Sequence, residues 1–172
     1  MALLLLLVTF GLLDFFVPAF EFENKIENML TKKILSSSDK KEIVEAIIQA
    51  EKNTSGEIHV HVENNNNMKP LERAQQLFFE LGIDATQQQN GVLFFICGKS
   101  KTLTIIGDKG INDKVDANFW NKTKMIVLEY FKQGLFKKGL VLGIEQAGKQ
   151  LQQFFPSEKE NSNELSNEIS NK

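Results

Sequence analysis

The sequence predicts an α/β fold, an α/β/α sandwich in which a mixed β-sheet is flanked by helices. Residues 57–63 alternate between polar and apolar side chains, which is typical of a strand with one buried face. Residues 92–97 are continuously apolar, as in a strand buried on both faces. Segments with helical spacing of apolar residues precede, separate and follow these strands, and that alternation favours the α/β class.

The first predicted helix follows a capping-box spacing between Asp39 and Glu42. Its apolar face comprises Ile43, Ala46, Ile47 and Ala50. Pro70 suits the first turn of a second helix, and Gly82 suits its C-terminal cap. The apolar stripe of this second helix comprises Leu71, Ala74, Leu77, Phe78 and Leu81. These two helices bracket the strand at 57–63.

The second half of the chain begins with a hairpin. Residues 98–101 have turn chemistry and separate the apolar strand from a further strand at 102–106. Two more helices are predicted, at about 117–133 and 138–155. The strands at 57–63 and 92–97 are joined through a helix, so we expect them to be parallel with a right-handed crossover.

This topology places three loops at one edge of the sheet: residues 53–56, 83–91 and 107–116. Four aspartates lie in the last two loops and are the predicted metal ligands: Asp84, Asp108, Asp113 and Asp116. Asn90 and Glu57 lie beside them. Carboxylate and amide oxygens are the ligands of Ca²⁺ or Mg²⁺, so a divalent cation is the predicted cofactor. Turn formation and helix capping by Asp and Asn are the alternative explanation.

His59 and His61 raise a second metal hypothesis. They project from the same face of a strand, where a His-x-His pair can chelate Zn²⁺ and Glu57 or Glu63 can supply a third ligand. A polar face is also typical of a half-exposed strand. Zinc is therefore the weaker of the two metal predictions.

Composition excludes several classes of protein. The formal charge of −2 argues against a nucleic-acid-binding surface. The single cysteine, Cys97, excludes an intramolecular disulfide and a multi-cysteine metal site. Neither a Gly-x-Ser-x-Gly nucleophile elbow nor a Walker-type phosphate loop occurs in the sequence. Composition does not predict the oligomeric state.

The ends of the chain differ from its middle. Residues 1–28 form a hydrophobic N-terminal segment with a leucine-rich run at 3–13, which suggests a signal peptide or a membrane anchor. Translation beginning at Met29 is the alternative. The protein is exported or anchored in the first case and cytoplasmic in the second. Residues 29–156 form the folded unit, and residues 157–172 are expected to be a disordered polar tail.

The chain also resembles the TPM domain family over most of the folded unit. The resembling segments are Ala50–Gly56, Glu57–Glu63, Glu72–Ala74, Leu81–Asp84, Asn90–Leu93, Ile106–Ile111, Phe119–Trp120 and Gly139–Leu140. The closest likeness is to short, stand-alone bacterial members, which commonly begin near the position of Met29. His59 departs from the family pattern, in which an arginine is more usual.

The resemblance implies an α/β/α sandwich and divalent-cation binding, mainly of calcium, at acidic loops. Asp84 and Asp108 match those loop positions best, and Asp113 and Asp116 match less closely. A related plant protein of the thylakoid lumen is described as an acid phosphatase. Two functions follow from the resemblance. The first is a cation-binding interaction or regulatory module, which contacts another protein at a membrane if the N-terminal segment is an anchor. The alternative is a metal-assisted phosphatase acting on phosphate monoesters.

Overall fold

The computed structural model describes residues 35–64, 67–98, 100–157 and 163–171. Its helices are α1 (Ser37–Glu51), α2 (Pro70–Glu80), α3 (Lys109–Asn112), α4 (Asn121–Lys132) and α5 (Phe136–Phe154). Its strands are β1 (Glu57–Glu63), β2 (Gly91–Cys97), β3 (Thr102–Gly107) and β4 (Ser170–Asn171). A 3₁₀ turn covers Ile83–Ala85.

The strands form one mixed sheet in the order β3-β2-β1-β4. β1 and β2 are parallel, and their register runs from the pair Glu57 and Gly91 to the pair Glu63 and Cys97. β2 and β3 are antiparallel neighbours, as the predicted hairpin requires. The sheet therefore confirms the predicted α/β class and the predicted strand directions.

Helices cover both faces of the sheet because β2 presents apolar side chains in both directions and β1 presents them in one. On one face, Ile58 and Val60 of β1 lie in a buried cluster with residues of α1 and α5. On the other face, Leu93 and Phe95 of β2 pack in a second cluster with residues of α2, among them Leu77. Burial of apolar surface on both sides stabilises the predicted three-layer arrangement.

Three local expectations need correction. The capping box of α1 is formed by Ser36 and Asp39, one turn before the predicted pair, because the extended backbone of Ser36 lets its hydroxyl accept from Asp39 N at 3.1 Å. Leu71, expected in the apolar stripe of α2, lies in its first turn and is 54 % exposed. α4 begins at Asn121, later than predicted, because residues 117–120 form turns, in which Phe119 N donates to Asp116 O at 3.1 Å.

The C-terminal tail is ordered where it is described, contrary to the expected disorder of residues 157–172. Residues 163–171, here called the C-terminal strap, lie along β1, and the two residues of β4 pair in parallel with His61 and Val62. Ile169 is buried and belongs to the core cluster beneath α1 and α5. Hydrogen bonds to β1 and one buried isoleucine order this polar segment, so its low apolar content does not predict whether it is ordered.

The predicted N-terminal segment, residues 1–28, lies outside the described residues. Within the part of the chain that the structure describes, no helix is long and apolar enough to cross a membrane.

Candidate functional site

The three loops predicted to meet at one sheet edge are in contact. Asn90 Nδ2 donates to the backbone oxygen of Ser55 at 2.9 Å and to its hydroxyl at 3.1 Å. Glu57 N donates to Asn90 O at 3.3 Å, and Asp108 N donates to Gly91 O at 2.9 Å. Asn90 thus links the loop before β1 to the start of β2, and Asp108 links the end of β3 to the same place.

The loops before β2 and after β3 also approach each other closely at Gly110. A Cβ atom added to Gly110 would lie 2.2 Å from the carbonyl oxygen of Gln88 and 2.6 Å from that of Gln89. A residue without a side chain is therefore required at this position. The close approach brings two backbone carbonyl oxygens beside the loop that begins at Asp108.

Two side-chain oxygens at this edge are buried and have no hydrogen-bond partner among the described residues: Asp108 Oδ2 and Asn90 Oδ1. Asp108 is the N-cap of α3, and its other carboxylate oxygen accepts from Lys109 N at 2.6 Å. Asn90 is completely buried. An unsatisfied buried acceptor is costly and calls for a water molecule, an ion or a functional explanation.

The other three predicted ligands have different surroundings. Asp113 forms an ion pair with Lys109, and Asp116 accepts from Asn118 N at 2.7 Å. Asp84 is exposed in the 3₁₀ turn. Among the described residues, no group of three or more His, Cys, Asp or Glu side chains is placed to hold a metal ion. The four aspartates therefore do not form a carboxylate cage, and local pairing and capping account for Asp113 and Asp116.

A surface cleft of about 450 Å³ opens beside Asp108. It is lined by Gln75, Phe78, Phe79, Ile106, Gly107, Asp108, Lys109 and Asn112. Phe79 is 68 % exposed, so one wall of the cleft offers aromatic surface to solvent. The opposite wall is polar and carries the carboxylate of Asp108. Sequence patterns did not predict this cleft, because it forms between α2 and the end of β3.

The polar face of β1 is buried, not half-exposed as its alternation suggested. Glu57, His59, His61 and Glu63 are each no more than 7 % exposed. Arg73 of α2 donates to Glu63 Oε1 at 2.6 and 3.0 Å, and the C-terminal strap covers the remaining part of the face. The strap therefore changes the chemistry expected of this face.

His59 and His61 share one hydroxyl group of the strap. Ser170 Oγ lies 2.8 Å from His59 Nε2 and 2.6 Å from His61 Nδ1. His59 Nδ1 faces the Ser166 carbonyl oxygen at 3.2 Å, and because a carbonyl only accepts, this nitrogen carries a proton. In the neutral ring, His59 Nε2 then accepts the proton of Ser170, which in turn accepts from His61 Nδ1.

Burial lowers the pKa of both imidazoles, and for His61 the neighbouring Glu63 carboxylate partly opposes that effect. The lowered pKa favours the neutral form of both rings at pH 7. In this proton arrangement His61 Nε2 is buried, has no hydrogen-bond partner among the residues described, and lies 3.4 Å from Glu63 Oε1.

Glu51, at the end of α1, is a buried carboxyl group that sequence patterns did not single out. Its Oε1 accepts from Ile58 N at 2.7 Å, and its Oε2 accepts from Asn167 of the strap. Burial raises the pKa of Glu51 to about 7, and the charge of Glu57 adds to the effect. A charged residue at the last turn of an amphipathic helix gives no sequence signal of such burial.

Comparisons with known proteins agree with the fold. The sequence model of the TPM domain matches residues 29–150. A solved structure, the NMR structure of BA42 protein from the psychrophilic bacterium Bizionia argentinensis, is similar with a TM-score of 0.78 and 47 % sequence identity. The match covers 82 % of this chain and 97 % of that one. No curated protein matches the chain. On the family match and this identity, the chain belongs to the TPM domain family.

Proposed function

We propose that the protein is a cation-binding module that takes Ca²⁺ or Mg²⁺ at the sheet edge beside Asp108. The observation that carries the proposal is the buried Asp108 Oδ2, which has no hydrogen-bond donor in the part of the chain that the structure describes. A hard divalent cation would satisfy this oxygen and would neutralise the carboxylate.

The neighbouring acceptors support the same choice of ligand. Within the described ranges Asn90 Oδ1 also has no donor, and the Gln88 and Gln89 carbonyl oxygens face the loop that Asp108 begins. Carboxylate, amide and backbone oxygens are the usual ligands of Ca²⁺ in loops. Asp84, exposed in the loop before β2, is the second carboxylate in this proposal. Two carboxylates imply a weaker site than one built from several, because affinity rises with ligand charge.

The cleft gives the cation a role in recognition. Asp108 lies in the polar wall, and Phe79 offers an exposed aromatic ring across from it. Exposed aromatic surface beside a polar rim is typical of an interaction site. The protein would then act as an interaction or regulatory module in which the cation orders the loop that forms one wall.

The test is thermal unfolding of the protein in EDTA, Ca²⁺ or Mg²⁺. A ligand present at a hundredfold excess over its Kd stabilises the native state by about 2.7 kcal/mol, so a rise in Tm is expected. Asp108→Asn keeps an oxygen for the cap but removes the charge, and it should abolish the rise. Asp113→Asn, at the C-cap of the same short helix, is the matched control and should retain it.

An equal rise in wild type and Asp108→Asn, or none in wild type, would contradict the proposal. The phosphatase alternative is tested on the same proteins with p-nitrophenyl phosphate. Cation-dependent turnover that is lost in Asp108→Asn and kept in Asp113→Asn would favour the enzyme over the interaction module.

A further inference from the structure

The C-terminal strap supplies hydrogen-bond partners to three polar side chains on β1. Glu57 accepts from Glu164 N at 3.1 Å and from Leu165 N at 3.3 Å. His59 and His61 both contact Ser170 Oγ. Residues 57, 59 and 61 alternate along the strand and project from the same face. If the strap detached, the two imidazoles would be left without their shared partner on that face.

The two imidazoles already converge on one atom. His59 Nε2 and His61 Nδ1 lie 2.8 Å and 2.6 Å from Ser170 Oγ. Zinc binds imidazole nitrogen at about 2.0–2.1 Å, so each ring would need to move inward by only about 0.6 Å to share a metal ion. Both rings are buried in the described structure, and no protein cation hydrogen-bonds either of these two nitrogens.

We propose that His59 and His61 form a binding site for a transition-metal ion of the Zn²⁺ class. Ser170 Oγ holds the position of the ion in the described structure. Glu63 is not part of the site, because two nitrogens of Arg73 already donate to it.

The strap is suited to displacement. It pairs with β1 at only two positions, and most of its contacts with that strand are single polar hydrogen bonds. Its largest apolar anchors are Ile169, which is 8 % exposed, and Leu165, which is partly buried. Binding of the metal would exchange the hydroxyl of Ser170 for an ion and would release the strap from β1.

The experiment titrates Zn²⁺ into the full chain, without a histidine tag and stripped of metal, and follows the imidazole NMR signals. The chain has two histidines, so the signals report the site directly. We expect both rings to shift with one equivalent of Zn²⁺. His59→Gln and His61→Gln should each weaken binding at least tenfold in a competition titration with a chromogenic chelator. Ser170→Ala should bind at least as tightly as wild type.

Glu168→Gln is the matched control, since its exposed side chain is on the strap and it should leave Zn²⁺ affinity unchanged. Imidazole signals that do not respond to Zn²⁺ in both wild type and Ser170→Ala would overturn the proposal. Affinity that survives both histidine substitutions would do the same. The wild-type NMR titration decides the question even where a histidine variant fails to fold. The Ca²⁺ and Mg²⁺ response of Asp108 is measured separately and is independent of this result.

Discussion

Replacement of Glu51 by glutamine should stabilise the protein at alkaline pH and leave it nearly unchanged at acidic pH. Burial raises the pKa of Glu51 from 4.5 to about 7. A carboxyl group with a raised native pKa contributes stability that is fully present below its unfolded pKa and is lost as pH rises through the native value. That difference in pKa corresponds to about 3 kcal/mol at pH 8.

Glutamine should keep both hydrogen bonds of this site. Its oxygen can accept from Ile58 N, and its amide can donate to the side-chain oxygen of Asn167 once that amide turns over. The substitution therefore removes the buried charge without removing a partner. Glu45→Gln is the matched control, since Glu45 is exposed on the same helix.

The assay is urea unfolding of wild type, Glu51→Gln and Glu45→Gln at pH 5 and pH 8. The gain in unfolding free energy of Glu51→Gln over wild type should grow by about 2–3 kcal/mol between the two pH values. Comparison with wild type at each pH removes the opposing contribution of the buried histidines. A gain that does not change with pH would refute the assignment of a raised pKa to Glu51.

Three further predictions concern buried contacts. Arg73→Met removes two donors to the buried carboxylate of Glu63 and should reduce the unfolding free energy by about 3 kcal/mol or more. Glu80→Gln, on the half-exposed side of the same guanidinium, should reduce it by about 1 kcal/mol or less. Chemical denaturation measures both changes. Gly110→Ala forces a Cβ against the Gln88 carbonyl, so it should lower the unfolding free energy by about 1–3 kcal/mol and weaken the Ca²⁺ response. Gly107→Ala, whose nearest contact is 3.3 Å, should have a smaller effect on both quantities. A Gly110→Ala protein that melts like wild type would contradict the close approach. NMR titration of the two imidazoles should give midpoints below pH 6.5, because burial lowers the pKa of both rings. Their contribution to the unfolding free energy is then present at neutral pH and declines as pH falls. A midpoint above 6.5 for both rings would show that the rings are not buried.

The alternation along β1 and the apolar run of β2 predicted the strands, because each period reflects which faces are buried. The register from Glu57 and Gly91 onward agrees with the parallel pair expected of a β-helix-β unit. Helix boundaries were less accurate. The pattern around residues 109–120 combines a short helix with turns, so it gave no clear periodicity.

The sequence predicted where the loops of the candidate site meet better than it predicted which side chains are available there. Topology alone required the loops containing Ser55, Asn90 and Asp108 to meet, and they do. Which aspartates remain available for a ligand depends on local partners. Asp113 pairs with Lys109 and Asp116 caps a turn, and both contacts arise from side-chain geometry that spacing does not reveal.

The sequence by itself determined the alternating layers of strand and helix and the loop edge at which Asp108 lies, because hydrophobic period and chain direction are local properties. Only the tertiary structure shows that the polar face of β1 is buried beneath the C-terminal strap. The strap returns to it from more than a hundred residues later in the chain, as the contact between His61 and Ser170 shows. The polar composition of the strap predicted disorder, because composition alone does not show that the distant strand β1 supplies buried hydrogen-bond partners.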